Sequence, residues 1–395
     1  MTLQENKEES ESLLKQIKKK VAILKSALGN RGGLEKYTQR LAESFANKGC
    51  QVFLLTTDFP EDAPSTAYQV INVSKKRFCS FFHLLSFNKK CAEWLAKNPV
   101  DVVFGMDRNY GLETHYRAGN GVHAAYLQHR KAFSSFWKRL SFGFNPLHFL
   151  ILSMEEKTFE SSKLKKLFTN SYMVKEEILR YYPKVAPEKI VAVHNGVEWY
   201  ELENPFQESV KNRAHIQKDL GLDSEAFQFL FVGNEYQRKG LELLLQALAL
   251  IKEEKFQLSV VGKEREEARF VKLTKKLGLE KKVLFFGPQK SCVRFYQAAD
   301  VCVIPSYYDP FANVTVEALA MGLFVISSAK NGGSEVLTND KLGLVFSDFK
   351  PEVLAECLKS ALLVPKTKER ASNIRNAVKA LDFSNQITKI VQETL

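Results

Sequence analysis

Residues 305–317 read Pro305-Ser306-Tyr307-Tyr308-Asp309-Pro310-Phe311-Ala312-Asn313-Val314-Thr315-Val316-Glu317. The run Val301–Ile304 ahead of it has the length and apolar content of a buried strand. A polar turn follows, and a helix is expected to open near Asn313. Asp309 and Glu317 therefore stand at the two ends of a strand-to-helix junction. In open α/β sheets, ligands sit outside the carboxyl ends of the strands, where such junctions gather. Carboxylates placed there can accept hydrogen bonds from the hydroxyls of a sugar and of a ribose. One acid at a helix N-terminus can also serve only the dipole, so the rest of the chain must decide.

Outward from this stretch the pattern repeats. Upstream, strands are expected over 21–25, 52–56, 70–73, 100–104, 167–169 and 190–193, with helices over 34–48 and 173–182. A second series follows the Asn195-Gly196 turn signal and Pro205. Its strands are expected over 227–232, 257–261, 283–286, 301–304, 324–327 and 344–346. Helices are expected over 240–252, 351–363 and 368–394. Alternation of this kind specifies parallel, doubly wound sheets. Two such series in 395 residues imply two domains with a cleft between them, joined near residues 195–205.

Hydrophobic residues make up 45% of the chain, enough for ordinary globular cores. Cys50, Cys79, Cys91, Cys292, Cys302 and Cys357 are scattered without metal-ligand spacing, and read as buried thiols of a reducing compartment. The polar N-terminus does not resemble a signal peptide, and no apolar run has the length of a membrane span. The net charge of +12 is uneven: residues 1–195 hold 30 Lys and Arg against 19 Asp and Glu, and the remainder holds 27 against 26. The first half should therefore meet something anionic, such as a phosphorylated substrate, a membrane surface or nucleic acid.

Gly32 and Gly33, in the first strand-to-helix loop, let the backbone approach a ligand at a helix start. The loop lacks the G-x-G-x-x-G spacing of dinucleotide sites. Gly233-Asn234-Glu235-Tyr236-Gln237-Arg238-Lys239-Gly240 follows the first strand of the second series. An adjacent Arg238 and Lys239 at such a junction can neutralise a diphosphate. Gly332 and Gly333, again beyond a strand, could offer backbone N–H groups to a donor, and Glu335 could cap the helix after them. The absence of Asp-x-Asp argues against a metal-bridged diphosphate. Beyond the strand ending at Phe104, the segment carrying Asp107, His115, Arg117 and His123 is expected at the cleft rim, where histidine can bond a hydroxyl or move a proton. Residues 114–154 interleave basic and aromatic residues with no acid. Lys131, Phe136, Trp137, Lys138 and Arg139 would suit an anionic membrane surface.

These residues resemble glycosyltransferase family 4, retaining enzymes of the GT-B fold. The likeness is carried by His194-Asn195-Gly196-Val197, by Gly233 with Arg238-Lys239-Gly240, by Ala299-Asp300, Pro305-Ser306 and the acid-x7-Glu pair, by Gly332-Gly333 with Glu335, and by Gly32-Gly33. The basic-aromatic insert and the run Tyr116–His123 are most similar to lipopolysaccharide-core glucosyltransferases. The resemblance implies two Rossmann-like domains facing a central cleft. An acceptor domain would span 19–195, joined by a C-terminal helix at about 375–395. A nucleotide-sugar domain would span 196–374, and a charged extension 1–18. Glu317 would bind the ribose, and Asp309 would stand where the family's first Glu meets the donor sugar, one methylene shorter. Arg238 and Lys239 would hold the diphosphate. Gly32 and Gly33 would back the phosphates, with Gly233, Asn313, Gly332 and Gly333 also lining the donor site. His123 would lie near the acceptor or sugar. Ala312 and Phe324 depart from the family's usual Gly and Pro.

The implied reaction is metal-independent, retaining transfer of a hexose (glucose being the expected one) from a nucleotide-diphosphate sugar to a membrane-associated glycolipid. It would run on the inner face of the cytoplasmic membrane, without a cofactor. Two alternatives stay open: the same chemistry on a soluble acceptor, and a basic nucleic-acid-binding module. The junction motifs argue against the latter, and no nucleic acid is expected.

Overall fold

The computed structural model describes residues 18–27, 33–57, 66–73, 79–132, 145–364 and 367–395. The expected extension up to residue 17 lies outside these residues. So do Gly32 and the proposed membrane residues Phe136, Trp137, Lys138 and Arg139. The chain divides into two compact units. One holds the described residues up to Thr169 together with Lys175–Ala192 and Ile387–Leu395; the other holds Asn170–Val174 and Val193–Gln386.

The first unit contains a seven-stranded parallel sheet. Its strands are β1 (Lys20–Leu24), β2 (Gln51–Thr56), β3 (Gln69–Asn72), β4 (Val102–Gly105), β5 (His115–Ala118), β6 (Lys166–Thr169) and β7 (Ile190–Ala192). Their order is β3-β2-β1-β4-β5-β6-β7. In β1, every residue after Lys20 is buried, because a doubly wound sheet is covered on both faces and asks for unbroken apolar strands. The helices Gly33–Asn47 and Ser80–Lys97 supply part of that cover. The strand order reverses between β1 and β4, which makes that pair the switch point.

β5 corrects the sequence expectation. His115–Ala118 was expected as a polar rim, yet all four residues are buried within the sheet. Its polar side chains are accommodated by stacking and, for His115, by a 2.9 Å hydrogen bond between Nδ1 and Thr114 Oγ1. The His115 ring lies parallel to Phe104, with centroids 6.4 Å apart. The Arg117 guanidinium lies 3.8 Å above the Tyr37 ring.

The second unit contains a six-stranded parallel sheet of β8 (Phe227–Val232), β9 (Phe256–Val261), β10 (Val283–Gly287), β11 (Val301–Ile304), β12 (Phe324–Ser328) and β13 (Gly343–Phe346). The order β10-β9-β8-β11-β12-β13 places its switch point between β8 and β11. The helix Leu241–Ala249 buries Leu241, Leu243, Leu244, Leu245, Ala247 and Leu248 against this sheet. The expected terminal helix is broken. Lys368–Ala377 and Phe383–Thr394 are separate helices around a 3₁₀ turn at Lys379–Leu381. The break arises because the Phe383 N–H donates to Val197 O at 2.8 Å instead of continuing the helical ladder. All six cysteines are free; Cys79 is exposed and Cys292 and Cys357 are half-buried, contrary to the expectation of burial.

Candidate functional site

In the second unit, the loop after β8 and the loop after β11 meet at the switch point. Lys239 Nζ lies 2.5 Å from Asp309 Oδ2, and Arg238 Nη1 lies 3.4 Å from the same oxygen. Arg238 Nη1 also donates to Tyr308 O at 3.0 Å, and its Nε to Glu235 at 2.5 Å. The Phe311 N–H donates to Asp309 Oδ1 at 3.2 Å. Burial pushes the Asp309 carboxyl upward, but the Lys239 and Arg238 cations outweigh it and hold it below the ordinary range.

Two glycines permit this arrangement. A Cβ on Gly233 would lie 3.2 Å from Lys239 Cγ, so glycine leaves room for the lysine stem. Gly240 has φ +78°, and a Cβ there would lie 2.0 Å from Pro305 O. The helix after Lys239 can thus start only where the backbone tolerates a left-handed residue pressed on β11's exit.

Glu317 lies in the helix Asn313–Ala320. Burial raises its carboxyl above the ordinary value, and Tyr296 Oη donates to Glu317 Oε2 at 2.7 Å. Tyr296 is 3% exposed. Its role was not legible, because the pair depends on how two helices pack. Asn313 opens its helix and is exposed; its Oδ1 accepts from Asn195 Nδ2 at 2.7 Å.

The glycine pair 332–333 is corrected by the structure. The Gly332 N–H donates to Asp309 O at 2.9 Å, and the Gly333 N–H to Asn331 Oδ1 at 3.0 Å. Neither is left for a donor. A Cβ at Gly332 would lie 2.1 Å from Pro310 O, and one at Gly333 2.7 Å from Thr315 Oγ1, so close packing is what requires glycine. Asn331, fully buried, binds this region together. Its Oδ1 also accepts from Ala312 N at 2.9 Å, and its Nδ2 donates to Thr315 and Ser327 hydroxyls, each at 3.0 Å. Glu335 does not cap the segment after it. It accepts from the N–H groups of Tyr172 and Met173, at 2.9 and 2.8 Å, at the start of the helix Tyr172–Tyr181.

In the first unit, Asp107 does not present an open carboxylate. Lys25 Nζ donates to its Oδ1 at 2.9 Å, and Ser26 N and Oγ to its Oδ2, both at 2.6 Å. It is a clasp across the β1–β4 switch point. His115, proposed for acceptor or sugar, is 3% exposed, and burial pushes its imidazole down to about 4. Arg117, proposed likewise, is 5% exposed. Both belong to the sheet interior because β5 carries them into it. Gly33 opens the helix Gly33–Asn47 beyond β1. Lys131 lies in the last turn of the helix His123–Ala132.

His123 opens that helix. Its N–H donates to both oxygens of Glu155, at 2.9 and 3.0 Å, and its Nε2 pairs with His148 Nδ1 at 3.0 Å. Burial, then the Arg108 cation, push the imidazole down to about 3, so the ring is neutral. Glu155 is 1% exposed and also receives Arg108 Nε at 3.1 Å and Tyr182 Oη at 2.9 Å. This buried node fixes where His123 stands.

Glu113 is an unanticipated buried acid. It is fully buried, and burial outweighs the neighbouring backbone N–H groups and the Asn109 side chain, pushing it from 4.5 up to about 7. Its stabilising contribution is complete below about pH 4.5 and is lost as pH rises through about 7, because the native state must then hold a buried anion. Urea denaturation is expected to show a loss on the order of 3 kcal/mol between about pH 5 and pH 8. Glu113→Gln is expected to flatten that dependence. An unchanged pH profile in the variant would rule the assignment out.

Residues 31–198 match the family described as Glycosyltransferase Family 4, and residues 212–379 match the one described as Glycosyl transferases group 1. The chain is 26% identical over 336 residues to the lipopolysaccharide glucosyltransferase WaaG of Escherichia coli (strain K12), covering 84% of this chain and 86% of that protein. It is 25% identical over 380 residues to a D-inositol 3-phosphate glycosyltransferase of Thermomonospora curvata, covering 88% and 87%. The crystal structure of WaaG, a glycosyltransferase involved in lipopolysaccharide biosynthesis, superposes with a TM-score of 0.76 at 25% identity, covering 95% of this chain and 99% of that one. Both sheets, their strand orders and these likenesses agree with the GT-B fold expected from the motifs. The chain thus carries a family 4 glycosyltransferase domain followed by a group 1 glycosyl transferase domain.

Proposed function

We propose that this glycosyltransferase moves a hexose, glucose, from a nucleoside-diphosphate donor to an anionic, lipid-linked acceptor, with retention of anomeric configuration and without a metal. The observation that carries the reading is the convergence of Lys239 and Arg238 on Asp309 at the β8–β11 switch point. Cleaving a sugar–phosphate bond builds negative charge on the diphosphate, and fixed cations there stabilise that charge. In this reading Arg238 and Lys239 take the diphosphate, with Gly32 and Gly33 backing the phosphates. Glu317, held by Tyr296, takes the ribose, and Asp309 meets the sugar. The departing phosphate accepts the acceptor's proton on the face it leaves, which accounts for retention. His123 meets the acceptor or sugar as a neutral imidazole.

The likeness to WaaG over most of both chains and the basic first half of the sequence support a lipid-linked acceptor at an anionic membrane surface. Among the described residues, no helix is long and apolar enough to cross a membrane. The likeness to the inositol-phosphate enzyme favours a second reading, in which the acceptor is a soluble phosphorylated polyol.

A thermal-shift screen of nucleoside diphosphates and their sugars tests the donor, because a ligand at 100 times its Kd stabilises the protein by about 2.7 kcal/mol. At least one diphosphate is expected to raise the melting temperature by several degrees. No shift from any would sink the reading. Binding to anionic vesicles at low salt separates the two acceptors: indifference to the vesicles favours the soluble one.

A further inference from the structure

The loop between β8 and its helix carries one more charge than a diphosphate site needs. Glu235, with φ +57°, is the one non-glycine residue at positive φ among the described residues. Such a conformation costs energy and persists only where its surroundings impose it. Tyr236 imposes it. That ring is fully buried, its N–H donates to Glu264 Oε2 at 2.7 Å, and its hydroxyl donates to Gly262 O at 3.1 Å. With Tyr236 locked, the turn falls on the residue before it, and Glu235 Oε2 is set 2.5 Å from Arg238 Nε.

The charges then cancel. Arg238 and Lys239 face Asp309 and Glu235, two cations against two carboxylates. A neutral cluster attracts a diphosphate far less than a cationic one. Asp309 is 7% exposed and bound by Lys239, Arg238 and the Phe311 N–H, so it stays in place. The Glu235 side chain is 63% exposed and can turn into water.

We propose that Glu235 is a resident counter-anion. It occupies the Nε edge of Arg238 until the donor's diphosphate replaces it, and it returns to that edge to displace the nucleoside diphosphate product. The inference rests on the reading that Arg238 and Lys239 hold a diphosphate. Glu235 is thus a positioning residue that lowers donor affinity in exchange for product release.

Titration calorimetry and stopped-flow displacement with uridine, adenosine and guanosine diphosphates test it, on the full chain and on Glu235→Gln and Glu235→Asn. Asn tolerates the left-handed backbone more readily than most residues, so it decides the matter should the Gln variant melt early. Both variants are expected to bind the preferred diphosphate about 3- to 30-fold tighter and to release it more slowly at low salt. The gain should shrink at about 0.5 M salt. Unchanged or weaker binding in folded variants overturns the counter-anion while leaving the diphosphate site standing. If the unaltered protein binds none of the three, the diphosphate reading falls and this inference falls with it.

Discussion

Lys239→Ala is expected to lower glycosyl transfer by about two to three orders of magnitude, the loss typical of removing a fixed charge from a developing oxyanion. The same substitution also perturbs the fold, because Lys239 pairs with the buried Asp309 at 2.5 Å. Removing one member of a buried pair leaves its partner uncompensated, at a cost of about 3–5 kcal/mol. Here Arg238 remains 3.4 Å from the carboxylate, so the penalty should be smaller, about 2 kcal/mol. For a unit of this size that is a fall of roughly 4–8 °C in melting temperature. The two effects separate in the double variant Lys239→Ala/Asp309→Asn. Removing the orphaned charge should recover most of the melting temperature, while transfer stays low. Recovery of transfer together with stability would mean that Lys239 serves only to keep Asp309 neutralised.

Arg375→Ala is expected to be the most destabilising single change in the second unit, at about 4 kcal/mol. Arg375 is 2% exposed. Its Nη1 donates to Ala320 O at 2.5 Å, and its Nη2 to Trp199 O at 2.6 Å and to Glu203 Oε2 at 2.9 Å. The guanidinium also lies 4.0 Å above the Trp199 ring. These contacts tie the helix Lys368–Ala377 to the end of the helix Asn313–Ala320 and to the segment carrying Trp199. Truncation leaves two buried carbonyls unpaired and opens a cavity beneath an aromatic ring. Arg375→Lys should restore little, because an ammonium cannot reproduce a planar fork that also stacks. Denaturant midpoints check both variants; a wild-type midpoint for Arg375→Ala would show that the node is idle.

Some of the candidate site was open to reading in advance because it is local. Gly233, Arg238, Lys239 and Gly240 lie within one turn, and Asp309 and Glu317 flank another, so position after a strand was enough to single them out. Failures came where sequence spacing says nothing about depth. His115 and Arg117 are polar residues in a strand with no apolar alternation, and the rings of Phe104 and Tyr37 that cover them lie far away in sequence. Gly332 and Gly333 suggested open N–H groups, whereas Asp309 O and Asn331 Oδ1 take both. Tyr296 and Glu113 gave no local sign, since a partner 21 residues away and the depth of a carboxyl are both facts of packing.

The alternation of strands and helices (β5 apart), the doubly wound parallel plan in two series and the basic character of the first half follow from the amino-acid sequence alone. Period, glycine placement and charge count are properties of neighbouring residues and need no knowledge of the fold. Which charges meet was decided only in three dimensions. The reversal of strand order sets the exits of β8 and β11 side by side, and only there do Glu235, Arg238, Lys239 and Asp309 close into a cluster whose formal charge sums to zero. Electrostatic interaction falls with distance through space rather than along the chain, so residues about 70 positions apart could be matched by the folded backbone and by nothing earlier.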